Sequence, residues 1–367
     1  MEQEASPALP APPQVWNRLG VMIKRGALGE FDASVTGDPC IVWDEALQNY
    51  RMFYFAQNKV ESIEHCCNAQ ALAVVENGNS LGKWRKLGPI VYENPGALCG
   101  ETHKPWILMD PFRPNHPARV DGLYWLLTVS WKIPNKVVQV ATSTSLAGPW
   151  KIQPHPVLQN GSDSDFDGLH IDAVTAYWFE QRQEILIYYM GYPREAQNDQ
   201  PCSPWGSSSA VAILRPGEPE ARKLGKIITP HPQLGHWISG YIGGVQIVPA
   251  LDGGWYAILN ASPTSPASVE DDATVREPAP SLGGWAFTSE QFPTKGWQIH
   301  DQPIEWLEDI PEAAVQAGES GNLWRHHLVL VPNDAVYMFY NTGPYGNEQI
   351  FARYAKWPQV IIQSNNG

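Results

Sequence analysis

Short runs of apolar, β-branched and aromatic residues recur along the chain in pairs, each pair joined by a polar turn. The first pair is Phe31–Trp43 followed by Tyr50–Phe55. The second is Glu101–Met109 with Gly122–Val129, and the third Phe166–Tyr177 with Glu184–Met190. The fourth is Tyr241–Val248 with Gly254–Leu259, and the fifth Glu319–Val331 with Ala335–Tyr340. Runs of this composition, bounded by turn residues, read as strands. A third run follows in several units: Gln70–Val75, Val138–Thr142 and Trp285–Ser289. Each leads into a Gly-Trp type ending, at Gly82 to Trp84, Gly148 to Trp150 and Gly296 to Trp297. The units begin at 31, 101, 166, 241 and 319 and fill nearly the whole chain. Radial repetition of three or four strands per unit predicts an all-β, five-bladed β-propeller. A β-sandwich is the competing arrangement, but sandwiches seldom carry so regular a repeat.

The pattern also sets the boundaries. Residues 1–16 are polar and Pro-rich and predict a flexible arm, which leaves 17–367 as one propeller domain. The segment Arg18–Ile23 is apolar enough to add a strand to the last blade and close the ring. Pro263–Pro280 reads as a long surface loop, and Pro311–Ala317 as a short helix.

Composition supports this picture and narrows the function. Of 367 residues, 43% are hydrophobic and 17% charged, which describes a globular chain. The 31 Gly and 33 Pro supply frequent turns, and 16 Trp exceed what a core alone requires. The net charge of −13 argues against a nucleic-acid partner or an anionic membrane surface. No apolar run approaches the roughly 20 residues of a membrane-spanning helix. Met1–Pro13 lacks the basic start and apolar core of a secretory leader, so a cytoplasmic location is expected. The five Cys are isolated except for Cys66 and Cys67, form no C-x-x-C pair, and read as reduced thiols.

In a propeller the innermost strands converge on one funnel. Counting each inner strand from its first apolar residues places Asp38, Asp172 and His326 at equivalent positions, with Lys104 and Gly243 or Gly244 in the other two units. Asp32 and Asp167 form a second pair, each after a Phe, and Glu101 and Glu319 open their units in a similar way. Paired carboxylates suit glycosidic bond cleavage, one as acid and one as base or nucleophile. Trp106 and Trp324 near the mouth offer flat faces for sugar rings. Taken singly, an Asp before a strand more often caps a turn.

These residues resemble glycoside hydrolase family 43 and its arabinanase, xylosidase and fructosidase relatives. Gly37-Asp38-Pro39 matches the motif that carries that family's general base. Ile171-Asp172-Ala173 matches the motif of its orienting carboxylate, with Ala in place of Pro. The Ser145–Trp150 segment resembles a recurrent blade ending, and the Gly-His motif of the last blade, which serves a central metal or water, falls on His326 or His327. The resemblance implies a small-molecule or oligosaccharide substrate. It requires no cofactor and allows a structural calcium on the axis, although no dedicated oxygen-ligand loop is present. One departure stands out. The family's acid is a Glu at the start of the fourth inner strand, where this chain has Ile242-Gly243-Gly244-Val245. Glu101, Glu319 and His170, and more weakly His103, are the replacements, with Asp32, Asp167 and His170 expected near the substrate. Three functions follow from these residues: a glycoside hydrolase or transglycosylase, a cyclase or isomerase acting on a small non-sugar metabolite, and a non-catalytic binding propeller.

Overall fold

The computed structural model describes residues 12–13, 15–59, 66–76, 81–132, 135–194, 206–250, 253–263, 281–304, 315–316, 318–320, 322–331, 335–344 and 346–357. It is built of strands, β1 to β21, in five antiparallel sheets. The first strand, β1 (Asn17–Ile23), is held back for the last sheet. The first blade runs outward through β2 (Val35–Asp44), β3 (Asn49–Lys59), β4 (Cys66–Val75) and β5 (Trp84–Pro89). The second contains β6 (Glu101–Ile107), β8 (Leu123–Lys132), β9 (Asn135–Ser143) and β10 (Lys151–Ile152), with the two-residue β7 (Arg119–Val120) paired to β8. The third is β11 (His170–Phe179), β12 (Glu184–Tyr192), β13 (Ser208–Leu214) and β14 (Arg222–Ile228). The fourth is β15 (Tyr241–Pro249), β16 (Trp255–Ser262), β17 (Leu282–Thr288) and β18 (Gln298–Ile299). The fifth is β19 (Arg325–Val331), β20 (Ala335–Thr342) and β21 (Gln349–Lys356), with β1 as its outermost strand.

The inner strands touch in sequence around a closed ring, β2 on β6, β6 on β11, β11 on β15, β15 on β19 and β19 on β2. The fold is therefore a five-bladed β-propeller. Burial follows the same logic. Inner strands such as β2 and β11 lie between neighbouring blades and are buried along almost their whole length. The outer strands β5 and β14 alternate instead between exposed and half-buried positions, as expected of strands with one wet face. Side chains fill the middle of the axis. Trp106 is fully buried there, 5.1 Å from the His327 ring and 6.0 Å from Tyr177.

Arg18–Ile23 does close the ring: β1 pairs with β21, and the Ile23 carbonyl accepts the Thr36 hydroxyl of the first blade at 2.9 Å. Of the Pro-rich arm, residues 1–11 and 14 lie outside the described residues, while Trp16 is buried and donates to the Pro13 carbonyl. The expected surface loop lies outside the described residues from 264 to 280, as does most of the expected helix at 311–317.

One local device repeats. In β2, β6, β11 and β15, three steps along the inner strand oppose two on its partner, between Gly37 and Cys40, His103 and Trp106, Asp172 and Thr175, and Ile242 and Val245. Each is a β-bulge with one extra residue, a device that re-aims side chains at a sheet end. The bulge places Asp38, Lys104 and Ala173 at φ of 47°, 52° and 49°. β19 pairs with β20 without a register shift.

Candidate functional site

The bulges correct the register expected from counting. They make Asp38, Lys104, Ala173 and Gly243 equivalent, and set Asp172 with Gly37, His103 and Ile242. Asp172 is thus one residue out of step with Asp38. Across the first cross-strand pair of β19 stands Arg325, opposite Asn341; His326 lies one step deeper.

Asp38 and Asp172 nevertheless share the mouth and have opposite surroundings. Asp38 is 7% exposed, its backbone N–H donates to Asn341 Oδ1 at 3.3 Å, and its carboxyl makes no hydrogen bond among the described residues. Burial pushes this carboxyl above the ordinary carboxylate value. Lys104, Arg325 and Lys136 pull it back, and Asp172 adds to the push. Asp172 is held between two ammonium groups, Lys104 Nζ at 2.7 Å and Lys136 Nζ at 2.6 Å. Burial alone would raise its pKa, but the two lysines outweigh burial and hold it well below the usual range. Asp172 Oδ1 also accepts the N–H of Ala173, which fixes the carboxylate on its own bulge. Lys136 lies over the Trp131 ring at 5.1 Å.

His103 and His170 stand beside this ion cluster. The His103 ring is buried between Phe55 and Trp131, with centroids 5.6 and 5.8 Å away. Burial and then Lys136 hold it well below its ordinary value. His170 rests against Tyr192 at 4.4 Å, and the same two causes bring it down to about 4. Both shifts favour the neutral imidazole.

The remaining wall is apolar. Ala173, Met190 and Tyr241 form a buried cluster against which Tyr192 and Trp324 pack. Arg325 borders it, 3% exposed, its Nη2 donating to the Val174 carbonyl at 2.6 Å. Glu348 lies on the first-blade side. Its backbone carbonyl accepts the N–H of Thr36 at 3.1 Å, two residues from Asp38. Burial pushes the Glu348 carboxyl up to about 7, against the pull of its own and the Gly346 amide, with Asp38 adding to the rise.

Several expected site residues have other duties. Asp32, Asp167 and Glu319 each sit just ahead of an inner strand and turn toward outer strands. Asp32 pairs with Lys86 at 2.6 Å and accepts the Tyr54 hydroxyl at 3.3 Å. Asp167 pairs with Lys223 at 2.6 Å and accepts the Tyr189 hydroxyl at 3.2 Å. Glu319 pairs with Arg353 at 2.7 Å and Arg18 at 3.3 Å and accepts the Tyr340 hydroxyl at 3.1 Å. These three carboxylates brace blades, which accounts for their recurrence without a role in the funnel. Glu101 opens β6 at an exposed rim position and accepts from Asn68 at 2.7 Å. Trp106 is packed into the axis with its Nε1 on the Ala176 carbonyl, so it presents no face to a ligand, whereas Trp324 does border the mouth.

His326 and His327, the expected metal or water ligands, are buried on β19. His326 Nε2 meets the Ile258 carbonyl at 3.0 Å, and burial brings both imidazoles down to about 3. Among the described residues no three His, Cys, Asp or Glu side chains gather to hold an ion. Gln246 exchanges two hydrogen bonds with Leu328, and Tyr177 OH accepts from Ile247, while His326 Nδ1 and His327 Nδ1 are buried with no hydrogen-bond partner among the described residues.

Sequence reasoning missed four residues of the mouth: Lys136, Arg325, Glu348 and Tyr241. A signal for Arg325 was present, since Glu319 precedes it by the same six residues that separate Asp32 from Asp38.

No family model and no curated protein matches the chain. Solved structures do. A glycoside hydrolase superposes with a TM-score of 0.70 at 13% identity, covering 96% of this chain and 95% of the other. These likenesses identify the fold. A thermostable family-43 glycoside hydrolase gives 0.57 at 14% identity, over 91% of this chain and 92% of that one. An endo-arabinase from Bacteroides thetaiotaomicron gives 0.54 at 11%, over 94% and 99%. The propeller expected from the repeat is therefore the fold of solved glycoside hydrolases along almost its full length.

Proposed function

We propose that the funnel is the active site of a carbohydrate-active enzyme of the glycoside hydrolase type. One observation carries this reading: two buried carboxylates share the funnel mouth, Asp172 clamped between two lysines and Asp38 making no side-chain hydrogen bond among the described residues, an arrangement that drives their proton affinities apart. Such divergence is how a single site assigns different roles to two acids. Asp172, clamped by Lys104 and Lys136, remains ionised and orients its surroundings. Asp38, with a raised pKa and an unengaged carboxyl, handles the proton. In hydrolysis, water attacks the anomeric carbon, Asp38 accepts the water proton, and the glycosidic C–O bond breaks. The leaving oxygen takes a proton from Glu348, the mouth carboxyl that holds one near neutral pH. Glu348 thus takes the place of the expected acids Glu101, Glu319 and His170.

Aryl and alkyl glycosides with leaving groups of different acidity test the roles. Asp38→Asn should lower kcat by at least about 10²-fold on every substrate. Glu348→Gln should slow alkyl glycosides while sparing nitrophenyl glycosides, whose leaving group needs no proton. Wild-type turnover by Asp38→Asn would remove this reading.

A second reading has its own support. Gly243-Gly244 replaces the expected carboxylate, and Ala173, Met190, Tyr241 and Trp324 form an apolar wall. In that reading the wall folds a small non-sugar metabolite while Asp38 moves one proton in a cyclisation or isomerisation. Failure of the wild type on every glycoside, together with quenching of Trp324 fluorescence by apolar small molecules, would favour it.

A further inference from the structure

Gly244 is more than a missing acid. A Cβ at this position would stand 2.8 Å from Arg325 Nη1 and 3.6 Å from the Ala173 methyl. The fourth blade therefore yields its mouth position to a guanidinium reaching in from the fifth blade. Where the resemblance places a negative charge, this chain places a positive one.

That guanidinium is incompletely satisfied. Nη2 is committed to the Val174 carbonyl, whereas Nη1 is buried and has no hydrogen-bond partner among the described residues. Its guanidinium carbon lies 5.8 Å from the Trp106 ring centroid. A buried donor left unmade is costly, and more so when it is charged. The local charge points the same way. Among the described residues, Asp38 and Asp172 are the carboxylates that act on Lys136 and Arg325, and Lys104 pairs with Asp172, in a chain whose net charge is −13. Asp172 is already shared by both lysines. A positive pocket in an acidic protein concentrates anions.

We infer that the funnel binds a small organic carboxylate, its anionic end on Arg325 Nη1 beside Gly244 and its body against Tyr241, Met190 and Trp324. A carboxylate suits a guanidinium donor better than a neutral hydroxyl does. The inference rests on the funnel being the binding site and not on hydrolysis. The body is either an acidic sugar or a non-sugar acid, and the two are separable by experiment.

The test is titration calorimetry on the full chain with two matched pairs, glucuronate against glucose and 3-phenylpropionate against 3-phenylpropanamide. The acid of at least one pair should bind at least tenfold more tightly than its neutral partner. Which pair shows the preference identifies the body. Arg325→Gln should erase the preference, with circular dichroism confirming the fold. Gly244→Ala provides a milder variant, since a Cβ there would stand 2.8 Å from Nη1 and push the guanidinium aside while keeping its charge; it should weaken the acid about tenfold and the neutral partner less. Equal binding of acid and neutral in both pairs, no binding by either acid, or a preference that survives both variants would overturn the inference. A chain that prefers carboxylates but hydrolyses nothing keeps this inference and loses the hydrolase reading. A hydrolase that binds neutral sugars as tightly does the reverse.

Discussion

At the residue scale, the mouth shows how burial and neighbours divide identical side chains. Asp172 holds two lysines together, so Asp172→Asn should leave both ammonium groups without their shared counter-ion. Breaking a buried pair typically costs about 3–5 kcal/mol, and the partial exposure of both lysines lowers the expectation here to roughly 2–3 kcal/mol. Urea unfolding at pH 7 measures it. Glu348 makes a pH prediction. Its folded pKa is raised from 4.5 to about 7, so its contribution to stability is full below 4.5 and is lost as pH rises through 7. His103 and His170, depressed in the folded chain, act oppositely and destabilise it as pH falls below their unfolded value near 6.5. Comparing wild type with Glu348→Gln isolates the glutamate. The wild type should lose stability relative to the variant as pH rises from 4.5 to 7, by at most about 1.4 kcal/mol for each pH step of one. A constant difference across that range would contradict the assignment.

At the scale of strands and blades, the recurring carboxylates brace the sheet. Asp32 with Tyr54 and Lys86, Asp167 with Tyr189 and Lys223, and Glu319 with Tyr340 and Arg353 are one design used in three blades. Asp167→Asn should cost about 1–3 kcal/mol through the unmade bonds, without altering ligand affinity in the funnel. Differential scanning calorimetry beside a binding titration checks both halves. This scale also shows where the sequence was legible. The strand pairs and the Asp38 motif could be read because alternation and turn residues are local signals. The relative register of Asp38 and Asp172 could not, because a bulge adds a residue that no period of two anticipates. Gly243-Gly244 read as a lost acid for a similar reason. The group occupying that space, Arg325, comes from another blade, and contacts between blades leave no spacing in the chain.

At the scale of the molecule, the ring was legible from its five repeats and from the apolar Arg18–Ile23. Closure depends on that segment. Without β1, the edge of β21 stands unpaired, and an open strand edge invites association with other chains. A chain lacking residues 1–23 should melt well below the full protein and form higher-order species on size-exclusion chromatography. The shared fifth blade also has a consequence in time. β1 leaves the ribosome long before its partner β21, which begins only at Gln349. At about 5–20 residues per second, β1 waits roughly 15–70 s for its neighbour. Four blades can mature during synthesis. The fifth waits for β21, and a nascent chain that stalls before residue 349 carries an orphan strand for quality control to find.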